Sequence, residues 1–532
     1  MTALVLQGGT MLDGTGSPGR SADIAVDENG LISGIGRISG HDADRRIDVT
    51  GAVVCPGFID LHSHADYSVF GAPAALTQAY QGVTSLITGN CGFSPFPIVD
   101  RHAEAGRAHG VFAADDLPWG WRTTAEFLAA ADALPLGVNI GAMVGHGSLR
   151  IGAMGPDERP ATPDEQHRMR QLLGEAIDAG VVGLSSGLIY APGSFCAAAE
   201  LLDLCSVVAG HDLLYASHIR DEGDRLMEAV NEAIDTARRS AARLQISHLK
   251  AIGPANWGGT GTALAAIEDA RRSGIDVSTD VYPYTASSTT LTSRLPNWAM
   301  DGGREQLVRR LSDPNGAAAV ADELRNRIGR TILPAGVIIA GTGDGPYRQY
   351  IGRSVADIAE LLRLDPAETI VELLRGQRGV VAIINHAMDD ADLEVVLTHP
   401  LAAVASDGSV LATSGAQQPH PRSFGTFTRV LGRYVRERGL LTLPEAVRKM
   451  TSLPASRLGW QHRGVLRVGA IADLCVFDPA AVIDRSDYHD PWQLADGVLH
   501  TLIAGRPVLQ DGRPTDLRPG RVIRGRSGTT RR

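Results

Sequence analysis

His62 and His64 stand two residues apart at the end of the apolar run Gly57-Phe58-Ile59-Asp60-Leu61, with Asp66 close behind. Side chains in an extended strand alternate faces, so both imidazoles point the same way and can reach one cation. Three more residues occupy the same situation, at or just beyond the end of an apolar run. Cys91 follows Leu86-Ile87-Thr88-Gly89-Asn90, His218 follows Leu213-Leu214-Tyr215-Ala216-Ser217, and His248 follows Leu244-Gln245-Ile246-Ser247. Thiolate and imidazole are ligands that suit zinc, and a site with three protein ligands keeps a position open for water. Asp407, in Ala405-Ser406-Asp407-Gly408, is a carboxylate able to take a proton from an activated water and deliver it to a leaving group. Each residue alone has a plainer reading: a polar strand end, a buried inert thiol, an aspartate opening a turn. Their shared placement favours a metal centre that performs hydrolysis.

The elements that must position these residues are short apolar runs alternating with helical patterns from about residue 56 onward, the cue for βα units and a parallel sheet. Core strands are expected at 58–61, 83–88, 138–144, 181–185, 213–217, 244–247, 275–279, 380–384 and 401–405. That is one more than an eight-stranded barrel needs, so one of the last three is a surplus strand or belongs to an insertion. The segment 287–374 lacks a regular βα rhythm and is expected to be that insertion, a lid or specificity element. Helices are expected over 164–180 and 224–242, the first opened by the capping box Thr162-Pro163-Asp164-Glu165 and closed by Gly180. In a barrel the strand ends converge at the C-terminal rim, where catalytic groups gather. Residues 1–55 and the stretch from Val465 to about 520 are β-rich and are expected to pair into one small domain, flanking a barrel over 56–464.

The chain has 532 residues, 44% hydrophobic and 21% charged, an ordinary globular composition. Its net charge of −10, from 60 acidic and 50 basic residues, argues against a nucleic-acid partner, which wants a basic face. No run approaches about 18 apolar residues, and the first residues lack the pattern of a signal peptide, so no membrane association and a cytoplasmic location are expected. Five scattered cysteines imply no disulfide framework. Residues 521–532, with Arg521, Arg524, Arg526, Arg531 and Arg532, are expected to form a basic, solvated tail.

Read together, these residues resemble the amidohydrolase superfamily and, in detail, its N-acyl-D-amino-acid deacylase (D-aminoacylase) branch. The resemblance rests on Pro56-Gly57-Phe58-Ile59-Asp60-Leu61-His62-Ser63-His64, Gly89-Asn90-Cys91-Gly92, Gly187-Leu188-Ile189-Tyr190-Ala191-Pro192-Gly193, Ser217-His218-Ile219-Arg220 and Ile246-Ser247-His248-Leu249-Lys250. It extends through Asp280-Val281-Tyr282-Pro283-Tyr284, Ser406-Asp407-Gly408 and His420-Pro421-Arg422 ahead of Gly425-Thr426-Phe427. The resemblance implies a distorted (β/α)8 TIM barrel with a small β-sandwich domain built from both termini. It implies a tight zinc held by Cys91, His218 and His248, and a second, weaker site at His62 and His64 sharing Cys91 and Asp407. Hydantoinase-like relatives bridge two metals with a carbamylated lysine on the fourth strand; the run 181–186 here has none, and Cys91 takes that place.

The implied reaction is hydrolysis of the amide of a small-molecule N-acyl-D-amino acid, with Asp407 as base and then acid. Tyr190, Lys250, Tyr282 and Arg294 match positions that hold the substrate carboxylate in the family, and Arg422 is a further candidate contact. Two other readings compete: an amidohydrolase acting on a cyclic or differently N-substituted amide, and a non-catalytic binding protein on the same scaffold.

Overall fold

The computed structural model describes residues 2–38, 43–110 and 117–525. Its centre is an eight-stranded sheet in which β1 (Phe58–Asp60), β2 (Val83–Thr88), β3 (Asn139–Gly145), β4 (Gly183–Gly187), β5 (Leu214–His218), β6 (Arg243–Ile246), β7 (Val277–Val281) and β8 (Ala402–Val404) follow one another in chain order, all parallel. The first and last strands meet through a parallel bridge between Ser63 and Gly408, which closes the sheet into a (β/α)8 barrel at its C-terminal rim. The strands are buried on both faces, as parallel strands covered by helices are. The helix Pro163–Ala179 has the expected capping box between Thr162 and Glu165, and Gly180 ends it in the left-handed conformation.

The ninth apolar run is not a barrel strand. Val381–His386 lies in a separate antiparallel sheet between Ala286–Thr290 and Val337–Thr342. Ile383 packs into a cluster with Leu291, Leu307, Leu324, Ile370 and Leu374, while Ile384 on the other face packs against Ala286 and Ala340. Burial on both faces writes the same apolar run as a parallel core strand, so the sequence pattern could not separate the two. This sheet and its helices therefore span 286–386, reaching past residue 374.

Both ends of the chain build the remaining β structure. Thr2–Gln7, Asp23–Asp27, Ile32–Gly36 and Ala43–Asp48 form one sheet; the other places Val53–Pro56 beside Leu474–Phe477, followed by Val498–Ile503 and Arg506–Gln510. Leu4, Ile24, Val26 and Val54 from the N-terminal end pack with Leu474, Val476 and Leu502 from the C-terminal end between them. Beyond that, residues 521–525 do not form a free tail. The Ile140 N–H donates to the Arg521 carbonyl (3.0 Å), and the Ile523 and Gly525 N–H groups donate to the carbonyls of Ile140 and Gly180 (2.7 and 2.8 Å). These are backbone contacts, which arginine-rich composition does not announce. Arg526, Arg531 and Arg532 lie outside the described residues. Among the described residues no helix is long and apolar enough to cross a membrane.

Gly89 shows how tightly the rim is packed. Its φ is +74°, and a Cβ placed on it would lie 1.9 Å from the Met143 carbonyl oxygen on β3. Gly89→Ala is expected to destabilise the protein by about 2–3 kcal/mol, the scale of overpacking plus backbone strain. The check is the midpoint of chemical denaturation.

Candidate metal centre

The sequence-predicted ligands converge. His218 is the last residue of β5, His248 lies two residues past β6, Cys91 three past β2 and Asp407 three past β8. Cys91 Sγ lies 3.3 Å from His62 Nε2, 3.4 Å from His248 Nε2 and 3.4 Å from His218 Nδ1. Asp407 Oδ1 completes the group, 3.4 Å from His62 Nε2 and 3.0 Å from His64 Nε2. All six side chains are buried.

Backbone geometry at this rim is unusual. Cys91, His248 and Asp407 have φ of +55°, +34° and +50°. Non-glycine residues in that region cost on the order of 1–3 kcal/mol each and persist where surrounding bonds over-determine them. Here the Asp407 N–H donates to the His62 carbonyl (2.8 Å) and the His64 N–H to the Gly408 carbonyl (2.7 Å). The His248 N–H donates to Asp280 Oδ1 (2.8 Å), and the Gly89 N–H, at the start of the Cys91 loop, donates to Asp66 Oδ2 (3.0 Å).

Electrostatics follow from that crowding. Burial alone would raise the Cys91 thiol, but the His62, His248 and His218 imidazoles hold it well below its ordinary range. Burial opposes charge on His62 and His64 as well; Cys91 and Asp407 nevertheless push His62 well above its usual range, and Asp407 and Cys91 push His64 up to about 9. Burial would also raise the Asp407 carboxyl, yet Arg422, His62 and His64 hold it well below the carboxylate range. A thiolate and a carboxylate crowded by buried imidazoles make a ready cation site.

A pocket opens beside this cluster. Tyr190, Lys250, Tyr282 and Arg294 all line it, together with Ser287, Ser288 and Thr289 from the insertion. Tyr190 Oη and Thr289 Oγ1 are 3.0 Å apart, which ties the insertion to the barrel loop. Arg294 is 5% exposed, its Nε donates to Ser293 Oγ (3.1 Å), and it makes no ion pair among the described residues. Lys250, by contrast, is paired with Glu222. Arg422 does not line the cavity; its Nη1 lies 2.9 Å from Asp407 Oδ2, and its guanidinium stacks over the Tyr282 ring at 4.9 Å.

Two carboxylates at the site escaped sequence reasoning. Asp280 Oδ1 faces His62 Nδ1 at 3.3 Å, and Glu222 Oε1 faces His248 Nδ1 at 3.1 Å. Both carried a usable signal: Asp280 lies near the C-terminal end of a barrel strand, and Glu222 follows His218 by four residues. A third cluster, His146 with Cys196 and Glu200, has ligand-like spacing. There, however, Arg150 pairs with Glu200, and the Arg220 guanidinium lies 3.9 Å from Cys196 Sγ, so cations already occupy it.

A barrel of this topology with thiolate, imidazole and carboxylate groups at its C-terminal rim defines a metal-dependent hydrolase. Residues 45–509 match the amidohydrolase family. The chain is 37% identical to an N-acyl-D-glutamate deacylase of Alcaligenes xylosoxydans xylosoxydans over 98% of this chain and 96% of that one. It is 35% identical to a D-aminoacylase of the same organism, covering 98% and 97%. Its fold matches a crystal structure of the N-acyl-D-glutamate deacylase from Bordetella bronchiseptica, complexed with zinc and a phosphonate mimic of the tetrahedral intermediate, with a TM-score of 0.83, 35% identity and coverage of 98% and 99%. The chain belongs to the amidohydrolase family, in its D-aminoacylase branch.

Arg422→Met removes the leading cation that keeps Asp407 ionised, so the Asp407 pKa rises. If turnover requires the ionised carboxylate, the acidic limb of the pH–rate profile moves to higher pH. The kcat/KM profile of the variant against the parent checks this.

Proposed function

We propose that the protein is a zinc-dependent deacylase that hydrolyses the amide of N-acyl-D-amino acids with uncharged side chains. The observation that carries this reading is Arg294, a buried guanidinium that has no counter-ion among the described residues and lies in the same cavity as the thiolate–imidazole cluster. A buried cation of this kind calls for an anionic ligand, and the α-carboxylate of an acylated amino acid supplies one beside the scissile amide.

The donor set suits zinc. Tetrahedral zinc, with bonds of about 2.3 Å to sulfur and about 2.0–2.1 Å to nitrogen, separates the two ligand atoms by about 3.5 Å. The distances from Cys91 Sγ to the three imidazole nitrogens are 3.3–3.4 Å. Cys91, His218 and His248 would hold the tight ion, and His62 and His64, with Cys91 and Asp407, a weaker one. Zinc bound there supplies Lewis-acid polarisation of the acyl carbonyl and a water acidic enough to attack near neutral pH.

The chain's own groups do the rest. Arg294, Tyr190, Tyr282 and the ammonium of Lys250 hold the α-carboxylate, so that only a correctly oriented amide meets the nucleophile. Asp407 takes the proton of the attacking water and delivers it to the departing amine nitrogen. The insertion, through Ser287, Ser288 and Thr289, walls the cavity against bulk water.

Charge counting bears on the side chain. Lys250 is neutralised by Glu222 and Arg422 by Asp407, which leaves Arg294 as the one lining cation without an acidic partner among the described residues. One free cation matches one carboxylate. A second carboxylate, as in acylated glutamate or aspartate, finds no further cation without an acidic partner among the described residues that line this cavity.

Turnover by the zinc-loaded protein is therefore expected for N-acetyl-D-amino acids with apolar side chains, with acidic ones slower and the L series inert. Amine release across paired D and L substrates is the measurement. Silence on both series with zinc bound would move the assignment to a cyclic or differently substituted amide. Asp407→Asn is expected to keep the tight zinc and lose about 10²–10⁴-fold in kcat; full turnover in that variant would refute its role as base.

A further inference from the structure

The mechanism leaves Glu222 without a task, yet this side chain is 5% exposed and surrounded by the centre's own residues. Its Oε1 lies 3.1 Å from His248 Nδ1, 3.7 Å from His218 Nε2 and 2.5 Å from Lys250 Nζ. The two histidines present opposite nitrogens to Cys91: Nε2 of His248 and Nδ1 of His218, each 3.4 Å from the sulfur. Their outer nitrogens consequently turn to the same place, the Oε1 atom of Glu222.

We propose that Glu222 is the positioning carboxylate of the metal centre: one oxygen fixes the outer nitrogens of His218 and His248 and anchors Lys250 at the cavity wall. This inference rests on the assignment of His218 and His248 as ligands. A neutral imidazole carries one N–H, so when its inner nitrogen offers a lone pair to a metal the outer nitrogen must be a donor. Two outer donors and an ammonium need an acceptor, and Glu222 Oε1 faces all three, at 3.1 Å from His248 Nδ1, 2.5 Å from Lys250 Nζ and 3.7 Å from His218 Nε2. Among the described residues His218 Nε2 has no hydrogen-bond partner, and Glu222, at 3.7 Å, is the carboxylate that faces it.

The same logic decides what Lys250 does. Its Nζ lies 2.8 Å from His248 Nδ1 as well as beside Glu222. An ammonium and an N–H are both donors, so with His248 acting as a ligand only the Glu222 contact survives. His218, Glu222 and His248 also have the spacing of a metal site in their own right. The Lys250 ammonium already sits against two of them, Glu222 and His248, so this outer triad is a brace around a lysine. Glu222 thus links the ligand imidazoles to the wall that receives the substrate carboxylate, and its loss acts on both.

Full-length Glu222→Gln and Glu222→Met proteins, compared with the parent and with Lys250→Met, test this. Zinc affinity is read by competition with a chromophoric chelator, and ligand geometry by the visible absorption of the cobalt-substituted proteins. Outer carboxylates of metal-bound histidines typically contribute about 10–100-fold in metal affinity. Both Glu222 variants are expected to lose zinc affinity on that scale and to show an altered cobalt spectrum, whereas Lys250→Met keeps both within a few-fold while raising KM. Wild-type zinc affinity and an unchanged cobalt spectrum in Glu222→Gln would overturn the proposal. So would an equal loss of affinity in Lys250→Met, which would assign the effect to the lysine. Should Glu222→Met fail to fold, the isosteric Gln variant decides. The affinity and spectral readouts need no substrate, so an error in the proposed reaction would show as inactivity of the parent and leave this test intact.

Discussion

Two backbone hydrogen bonds across the barrel seam govern the site. The Asp407 N–H meets the His62 carbonyl, and the His64 N–H meets the Gly408 carbonyl, joining segments more than 340 residues apart in the chain. Asp60 reinforces the seam from β1 by accepting from the Ser406 N–H (2.9 Å) and from its hydroxyl. Burial raises the Asp60 carboxyl to about 6 against the lowering effect of those bonds, a measure of how dry the seam is. Without this closure the sheet would remain open, and Asp407 would stand at the far edge from the histidines of β1.

A dry rim makes charge arrangement the controlling quantity. Thiolate, imidazoles, carboxylates, ammonium and guanidinium share one small volume, where an unpaired charge is costly. The molecule answers by pairing: Arg422 with Asp407, Lys250 with Glu222, His62 with Asp280. Arg294 alone among the cavity-lining cations makes no ion pair among the described residues.

Much of the cluster was legible in the sequence because each candidate ligand sits at a strand end and a barrel sends all its strand ends to one rim. His62 and His64 were marked by their spacing of two, Cys91, His218 and His248 by the apolar runs before them, and Asp407 by the last of those runs. The helix starting at Pro163 was legible for the same local reason, a capping box and a terminal glycine within one segment. The run 380–384 misled because burial on both faces leaves the same mark on a strand of the insertion as on a strand of the barrel. Glu222 and Asp280 were passed over because a carboxylate near a strand end is common, and what distinguishes these two is the imidazole nitrogen each faces.

The sequence by itself determined the ligand types, the βα rhythm, the β-rich ends and the motif pattern of the branch, since all of these are local or follow the chain. Only the tertiary structure decided which groups pair. Lys250 and Arg422 are both candidate substrate contacts in the sequence, yet one is committed to Glu222 and the other to Asp407, while Arg294 makes no ion pair among the described residues. Ion pairing depends on distances of 3–4 Å between residues on different strands, and no spacing along the chain encodes such distances.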